Sequence, residues 1–260
     1  TAAARAQALL DSLNHALADR DFAAASRLFA DESYWRDLVL FTWNIKTMEG
    51  QAQIASMLAA QLDAAAPVRF SLDEREAVEE ADGVLSAWIV IDTRHARGGG
   101  HVRIRDGRIW TLLTAAQELK GHEEPMGTRR PMGAEHGIRR GRKTWAERRQ
   151  QEAEELGREK QPFVLVIGGG QGGIALGARL RQLGVSHIVI DRQARPGDQW
   201  RNRYKSLCLH DPVWYDHLPY MPFPDNWPVF APKDKIGDWL EMYTKVMEVN
   251  YWPSTNCLNA

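Results

Sequence analysis

Apolar positions recur at three- and four-residue spacing from the start of the chain: Ala6, Leu9, Leu10, Leu13 and Leu17, then Phe22, Ala25, Leu28 and Phe29. Each set lies on one face of a helix, and Arg20-Asp21 between them predicts a break, hence a helical hairpin over residues 2–30. A third helix is expected after Glu49-Gly50, carrying Ile54, Met57, Leu58 and Leu62 until Pro67 stops it. Around and after it the period changes. SYWRDLVLFTW, VRFSLDEREAVEE, GVLSAWIVIDTRH and GHVRIRDGRIWTLLTAAQEL predict strands, and Asp106-Gly107 inside the last predicts a hairpin turn. Helices followed by an antiparallel meander indicate an α+β domain over residues 1–120.

Residues 121–160 read as a charged linker: Pro, Gly and charge mix without periodicity up to Lys143, and a short polar helix then starts at Thr144, with Glu147 completing a capping-box pattern and Gly157 ending it. Its arginines alternate with glutamates, which suits a solvated surface better than a nucleic-acid patch. Residues 161–260 open with QPFVLVIGGGQGG. The unbroken apolar run Phe163 to Ile167 suits a strand of a parallel sheet buried on both faces. Gly168, Gly170 and Gly173, with Gly172 among them, then fill GxGxxG, and Ile174, Ala175, Ala178, Leu180 and Leu183 continue at helical spacing. The first glycine permits a tight turn, the second lets the backbone approach a pyrophosphate, and the third lets helix and strand pack closely; the helix N-terminus favours the anion. A second apolar run, SHIVIDR, brings Asp191 about 20 residues after the glycines, the place of an acid that accepts from an adenosine ribose. Glycines also make ordinary loops, but strand, glycines, helix, strand and acid in this order point to dinucleotide binding.

Composition narrows the partners. The formal net charge of -1 gives no reason to expect nucleic acid or an anionic membrane. No stretch approaches the roughly 18 consecutive apolar residues of a membrane helix, so neither membrane insertion nor secretion is expected. Cys208 and Cys257 form no CxxC or Cys/His spacing, so no metal site and no disulfide framework is indicated, and a reducing cytoplasmic location fits.

The residues after Asp191 choose between FAD and NAD(P). The run RQARPGDQWRNRYKSLCLHDPVWYDHLPYMPFPDNW resembles the flavin-containing monooxygenases, including their YUCCA-like and Baeyer–Villiger-like branches. The resemblance rests on Gly197-Asp198-Gln199-Trp200 for the Gly-Gly-x-Trp element, Leu207 to Pro212 for LxLHxP, and Met221 to Pro224 for MPFP, and covers about residues 160–260. Asp198 stands where that element has its second glycine. A flavin disulfide reductase would carry a redox cysteine pair where this chain has GDQWRNRY, and the Trp/His/Pro-rich stretch interrupts the alternation of a plain NAD dehydrogenase. The first domain resembles the NTF2-like (SnoaL-like) group, which implies a cone-shaped sheet around a cavity.

The resemblance implies an α/β Rossmann-type FAD-binding domain, incomplete in this chain, after the NTF2-like α+β domain. It implies FAD held by Gly168, Gly170, Gly172, Gly173, Asp191, Arg192, Gly197, Gln199, Trp200 and His210. NADPH would reduce the flavin, its binding site expected beyond residue 260; oxygen would add at C4a, and one atom would pass to a small organic substrate. The chain is then expected to be the N-terminal part of a longer enzyme and inactive on its own. Individual residues keep two readings. Trp200 suits a place against the isoalloxazine or adenine, or in the core; Arg192 suits the adenosine moiety or a solvated surface; His210 is the one weak catalytic candidate, and a satisfied structural histidine is the better single reading of it. In the first domain Asp37 and His95 are the residues to test for acid/base chemistry, although Asp37 after Trp35-Arg36 suits a structural ion pair and His95 a polar turn. The competing reading is an NTF2-like ligand-binding or isomerase-like module fused to a non-functional partial nucleotide domain. A homodimer through the cone sheet is compatible with either.

Overall fold

The computed structural model describes residues 1–133 and 136–259, which divide into two units, Thr1–Glu123 and Glu124–Ala260. In the first, α1 (Ala2–Ala18) starts where the Thr1 hydroxyl accepts from the Ala4 N–H, and it buries Ala6, Leu10, Leu13 and Leu17. The expected break comes next: Arg20 takes φ 58°, and Asp21 caps α2 (Phe22–Arg27) by accepting from the Ala24 N–H at 2.7 Å. α2 is shorter than its apolar pattern. Phe29 opens β1 (Phe29–Leu38) instead and stacks on Trp35 with ring centroids 5.7 Å apart.

β2 (Ile45–Glu49), α3 (Gly50–Ala65), β3 (Arg69–Leu72), β4 (Glu79–Ala81), β5 (Val84–Asp92), β6 (Ala96–Arg105) and β7 (Arg108–Leu119) complete the unit. The sheet order is β2-β1-β7-β6-β5-β3, with β4 also on β5. Asp106 and Gly107 turn the β6–β7 hairpin with φ 51° and 73°, positive at both central positions as a type I′ turn needs. β3 to β7 pair antiparallel, but β1 runs parallel to β7, with Trp35 opposite Leu112. The sheet is therefore mixed rather than the antiparallel meander expected: local patterns specify hairpins, not which distant strands meet.

The core of this unit is aromatic. Phe29, Trp35, Phe41 and Phe70 contact one another at centroid distances from 5.3 to 6.3 Å, all fully buried or nearly so. Asp37 is fully buried and makes no ion pair among the described residues. Its carboxylate accepts from the Phe41 and Thr42 N–H groups and the Thr42 and Thr114 hydroxyls, and Thr114 in turn accepts from Trp35 Nε1 at 3.0 Å. The ion pair expected with Arg36 is absent among the described residues, because Arg36 points to Thr47 and donates to it at 2.7 Å. Asp37 is an anchor for the loop after β1, and His95 is exposed in the β5–β6 turn.

The second unit contains α4 (Trp145–Glu155), β8 (Val164–Ile167), α5 (Gln171–Gln182), β9 (His187–Ile190), α6 (Asp198–Arg201), α7 (Lys233–Val246) and β10 (Tyr251–Trp252). Thr144 and Glu147 form both halves of the capping box at α4. This polar helix is not free in solvent. Arg149, Glu152, Arg181 and Glu248 form a chain of ion pairs, Asn250 donates to Glu152, and Leu156 packs with Ile188, Ile190 and Trp252. The sheet order is β10-β9-β8, all parallel. Val166 of β8 is buried, yet Leu165 and Ile167 on its other face are 50% and 59% exposed, so the expectation of burial on both faces holds for one face only among the described residues. An apolar run reports what a strand can tolerate on each face, not what the described residues supply. α7 buries Ile236, Leu240 and Tyr243 in the core with Ile174, Ala178 and Val189, as its one apolar face requires.

Candidate functional site

After β8 the chain turns at Gly168 with φ 104°, a region that strains any residue with a side chain. Gly173, in the first turn of α5, approaches so closely that a Cβ would lie 1.9 Å from the Gly168 carbonyl oxygen. Gly170 and Gly172 differ: a Cβ on either would meet nothing within 4 Å. The outer glycines of the pattern are thus required by the backbone itself, whereas the inner ones leave space open. Gly170 is the N-cap of α5 and has no side chain to satisfy the first-turn N–H groups. Uncapped donors, a helix dipole and an open approach are what an anion such as a pyrophosphate requires.

β9 delivers Asp191 to this turn. The carboxylate is buried; Oδ2 accepts from the Gly169 N–H and from Gln199 Nε2, both at 2.6 Å, and Oδ1 accepts from the Gln193 N–H at 2.7 Å. Tyr251 of β10 packs on Gly169, where a Cβ would come within 2.3 Å of its ring. Burial first, and then the Asp191 charge, push the Tyr251 phenol up to about 12.

Gly197 (φ 88°) is buried against α7, where a Cβ would meet the Gly237 carbonyl oxygen at 2.2 Å; the structure gives it a packing role. Asp198 opens α6 in place of a second glycine. Its carboxylate accepts from the Arg195 N–H and from Arg201, and Arg201 also donates to Asp238, Glu241 and the Pro196 carbonyl, so the loop closes through charge. Trp200 Nε1 donates to Gln171 Oε1 at 3.1 Å, tying α6 to the first residue of α5.

Trp200 and Gln171 begin a cleft of about 460 Å³. Leu207, Leu209, Phe223, Ile236 and Leu240 form its apolar wall, and Gln199, Arg203, Cys208, His210, Asp211 and Asp216 its polar one. Burial, then the charge of Asp211, holds the Asp216 carboxyl above the usual carboxylate range. The structure therefore brings together Gln199, Trp200 and His210 on the cleft and Asp191 with Gly169 and Gln199 at the turn; His210 is exposed. Arg192 is exposed and does not line the cleft. Gln171, Arg203 and Asp216 are not marked by the sequence: Gln171 occupies an unspecified position of GxGxxG, and Arg203 and Asp216 carry no spacing that separates them from surface charges. Among the described residues no helix is long and apolar enough to cross a membrane, and no three His, Cys, Asp or Glu side chains gather to hold a metal ion.

The chain joins an α+β unit to a parallel α/β unit with a dinucleotide-type glycine turn, and known proteins sort along the same division. Residues 10–112 match the model of a SnoaL-like domain, and residues 162–206 match an FAD binding domain. An uncharacterized CzcO-like oxidoreductase of Geobacillus kaustophilus is 41% identical over 86 residues, 33% of this chain and 25% of that protein. The rice (Oryza sativa subsp. japonica) indole-3-pyruvate monooxygenase YUCCA4 is 35% identical over 85 residues, 32% of this chain and 19% of that protein. A flavin-containing monooxygenase structure from Stenotrophomonas maltophilia is 30% identical with a TM-score of 0.32, over 34% of this chain and 26% of that one. An NTF2-like protein from Cytophaga hutchinsonii is 14% identical with a TM-score of 0.30, over 42% and 87% of the two chains. The chain thus pairs a SnoaL-like domain with a segment similar to flavin monooxygenases, and spans about a quarter or less of the length of these curated relatives.

Proposed function

We propose that the second unit is the FAD-binding part of a flavoprotein monooxygenase that uses NADPH as reductant and O2 as oxidant on a small organic substrate, with residues 1–120 as an accessory NTF2-like domain and 161–260 as the cofactor domain, on which α4 of the 121–160 segment packs. The observation that carries this reading is the open, uncapped glycine turn, with space at Gly170 and Gly172 and a buried acid, Asp191, hydrogen-bonded to the turn itself. In it, the N–H groups around Gly170, Gly172 and Gly173 hold the pyrophosphate, and Gly168 shapes the turn. Asp191 orients the ribose side of the site. Trp200, fixed by Gln171, and Gln199 form the wall along which the cofactor lies, and Leu207, Leu209 and Phe223 exclude water from it. Gly197 supports this wall from behind by packing on Gly237, and His210 lines the cleft as a hydrogen-bonding group. Bound FAD would supply the redox and oxygen chemistry; the chain's residues bind, orient and shield it.

The first unit's aromatic filling and its satisfied Asp37 favour an accessory role over acid/base catalysis there. Equilibrium titration of the purified chain with FAD, FMN and NADPH tests the proposal. Saturable binding with FAD strongest is expected; no FAD binding, or NADPH binding tighter than FAD, would overturn it.

A further inference from the structure

Lys233, the first residue of α7, buries its ammonium: the side chain is 9% exposed. Nζ donates to the Arg201 carbonyl oxygen at 2.6 Å and to Asp234 Oδ1 at 2.8 Å. Asp234 is exposed, so solvent screens its charge and the pair offsets little of the cost of burial. An apolar side chain of similar length would fill the space at lower cost. What the lysine adds is a donor fixed on one backbone carbonyl, that of the last residue of α6, next to Trp200. A helix of four residues does not hold itself. The indole of Trp200 is tied to Gln171 on the side of the glycine turn, and the backbone beside it is tied to Lys233 on the side of α7. The Arg201 guanidinium also reaches Asp238 and Glu241 of α7, but through an exposed and a half-buried carboxylate, contacts that solvent weakens.

The backbone of the same residue holds a second segment that lines the cleft. The Lys233 N–H donates to the Leu207 carbonyl at 3.0 Å, the Leu209 N–H donates to the Ala231 carbonyl at 2.9 Å, and Leu207, Cys208 and Leu209 all face the cleft. Ile236 and Leu240, three and seven residues further along α7, line it as well. We propose that Lys233 is a positioning residue of the cleft: its side chain and its N–H set α6, and with it Trp200, in register with the Leu207–Leu209 segment, so that the cofactor meets a fixed Trp200. The proposal rests on the FAD reading above. Lys233 does not itself line the cleft and acts through Trp200.

Equilibrium FAD titration, with visible circular dichroism of the bound flavin, tests this in a double-mutant cycle on the 260-residue chain: native, Lys233→Met, Trp200→Ala and the two changes together. Lys233→Met is expected to lose roughly tenfold in FAD affinity, the scale of one charge-assisted hydrogen bond, and to alter the flavin dichroism. In the Trp200→Ala background the same change should cost less than about threefold and leave the dichroism as it is, because the side chain that Lys233 places is gone. Native affinity and dichroism in Lys233→Met, or the same loss repeated in the Trp200→Ala background, would overturn the positioning role while leaving the FAD site standing; a lysine that only supports the fold gives the second result. A native chain without saturable FAD binding would instead overturn the reading of the turn, and this proposal with it. Should Lys233→Met melt too low to titrate, Lys233→Gln, which keeps a neutral donor on a shorter side chain, is carried through the same cycle against the same outcomes.

Discussion

Gly170 and Gly173 stand three residues apart in one turn, yet substituting them should do opposite things. Gly170 has φ −73° and ψ −174°, backbone that a β-branched residue adopts freely, and a Cβ there meets nothing within 4 Å. Gly170→Val should cost about 1 kcal/mol through the poorer N-cap and regain about 0.4–1 kcal/mol by narrowing the unfolded ensemble, leaving stability nearly unchanged. Its two methyl groups nevertheless fill the space through which a pyrophosphate must approach, and FAD affinity should fall at least about a hundredfold, the equivalent of about 2.7 kcal/mol. In Gly173→Ala the new methyl lies 1.9 Å from the Gly168 carbonyl oxygen, a backbone atom that cannot swing aside. That overlap should destabilise the second unit by about 3 kcal/mol whether or not FAD is present. Denaturant unfolding paired with FAD titration by flavin fluorescence separates the effects. Gly170→Val binding FAD within threefold of the native protein, or losing as much stability as Gly173→Ala, would refute the reasoning.

Asp37→Ala should destabilise the first unit by about 3 kcal/mol, because the Phe41 and Thr42 N–H groups and the Thr114 hydroxyl lose a buried acceptor, and should leave FAD affinity unchanged; equal unfolding midpoints would contradict the anchoring role. His187 is buried with Nε2 unpartnered among the described residues, and burial, which outweighs the Val185 carbonyl at Nδ1, holds its pKa below the usual value of about 6.5. Below about pH 6.5 the unfolded chain takes up a proton that the folded chain refuses, so stability is full above that pH and falls towards the lowered folded value. Comparing unfolding midpoints at several pH values between 7.5 and 5 should show a shallower acid slope in His187→Gln; equal slopes would contradict the assignment. Glu152→Gln removes a half-buried carboxylate shared by Arg149, Arg181 and Asn250 and should cost about 1 kcal/mol after allowance for solvent screening, read as earlier proteolysis around α4 in limited digests. Digestion at the native rate would mean that the apolar contacts of Leu156 hold α4 without it.

Much of the architecture is legible because it is local. The break at Arg20-Asp21, the Asp106-Gly107 hairpin, the Thr144/Glu147 capping box and the positive φ of Gly168 each arise from a few adjacent residues. Non-local pairing is not. Nothing near Trp35 says that β1 will lie parallel to β7, and nothing in the polar sequence of α4 says that Glu152 will meet Arg181 and Asn250. The same division runs through the site. Glycine spacing locates the turn and the acid, but only the fold distinguishes Gly170, which leaves room for a ligand, from Gly197, which makes room for α7. Asp37 is legible as a polar residue in an apolar strand, whereas its partners come from β7 and from the loop after β1, which no spacing rule connects.

The most direct test of the account is a visible absorption spectrum of the purified chain after incubation with FAD and gel filtration, with chromatographic identification of the flavin released on denaturation. Absorbance bands of a bound flavin near stoichiometric occupancy, with FAD as the released species, are the expected result. A folded protein that emerges colourless, and still shows no saturable FAD binding at equilibrium, would contradict the assignment of the glycine turn.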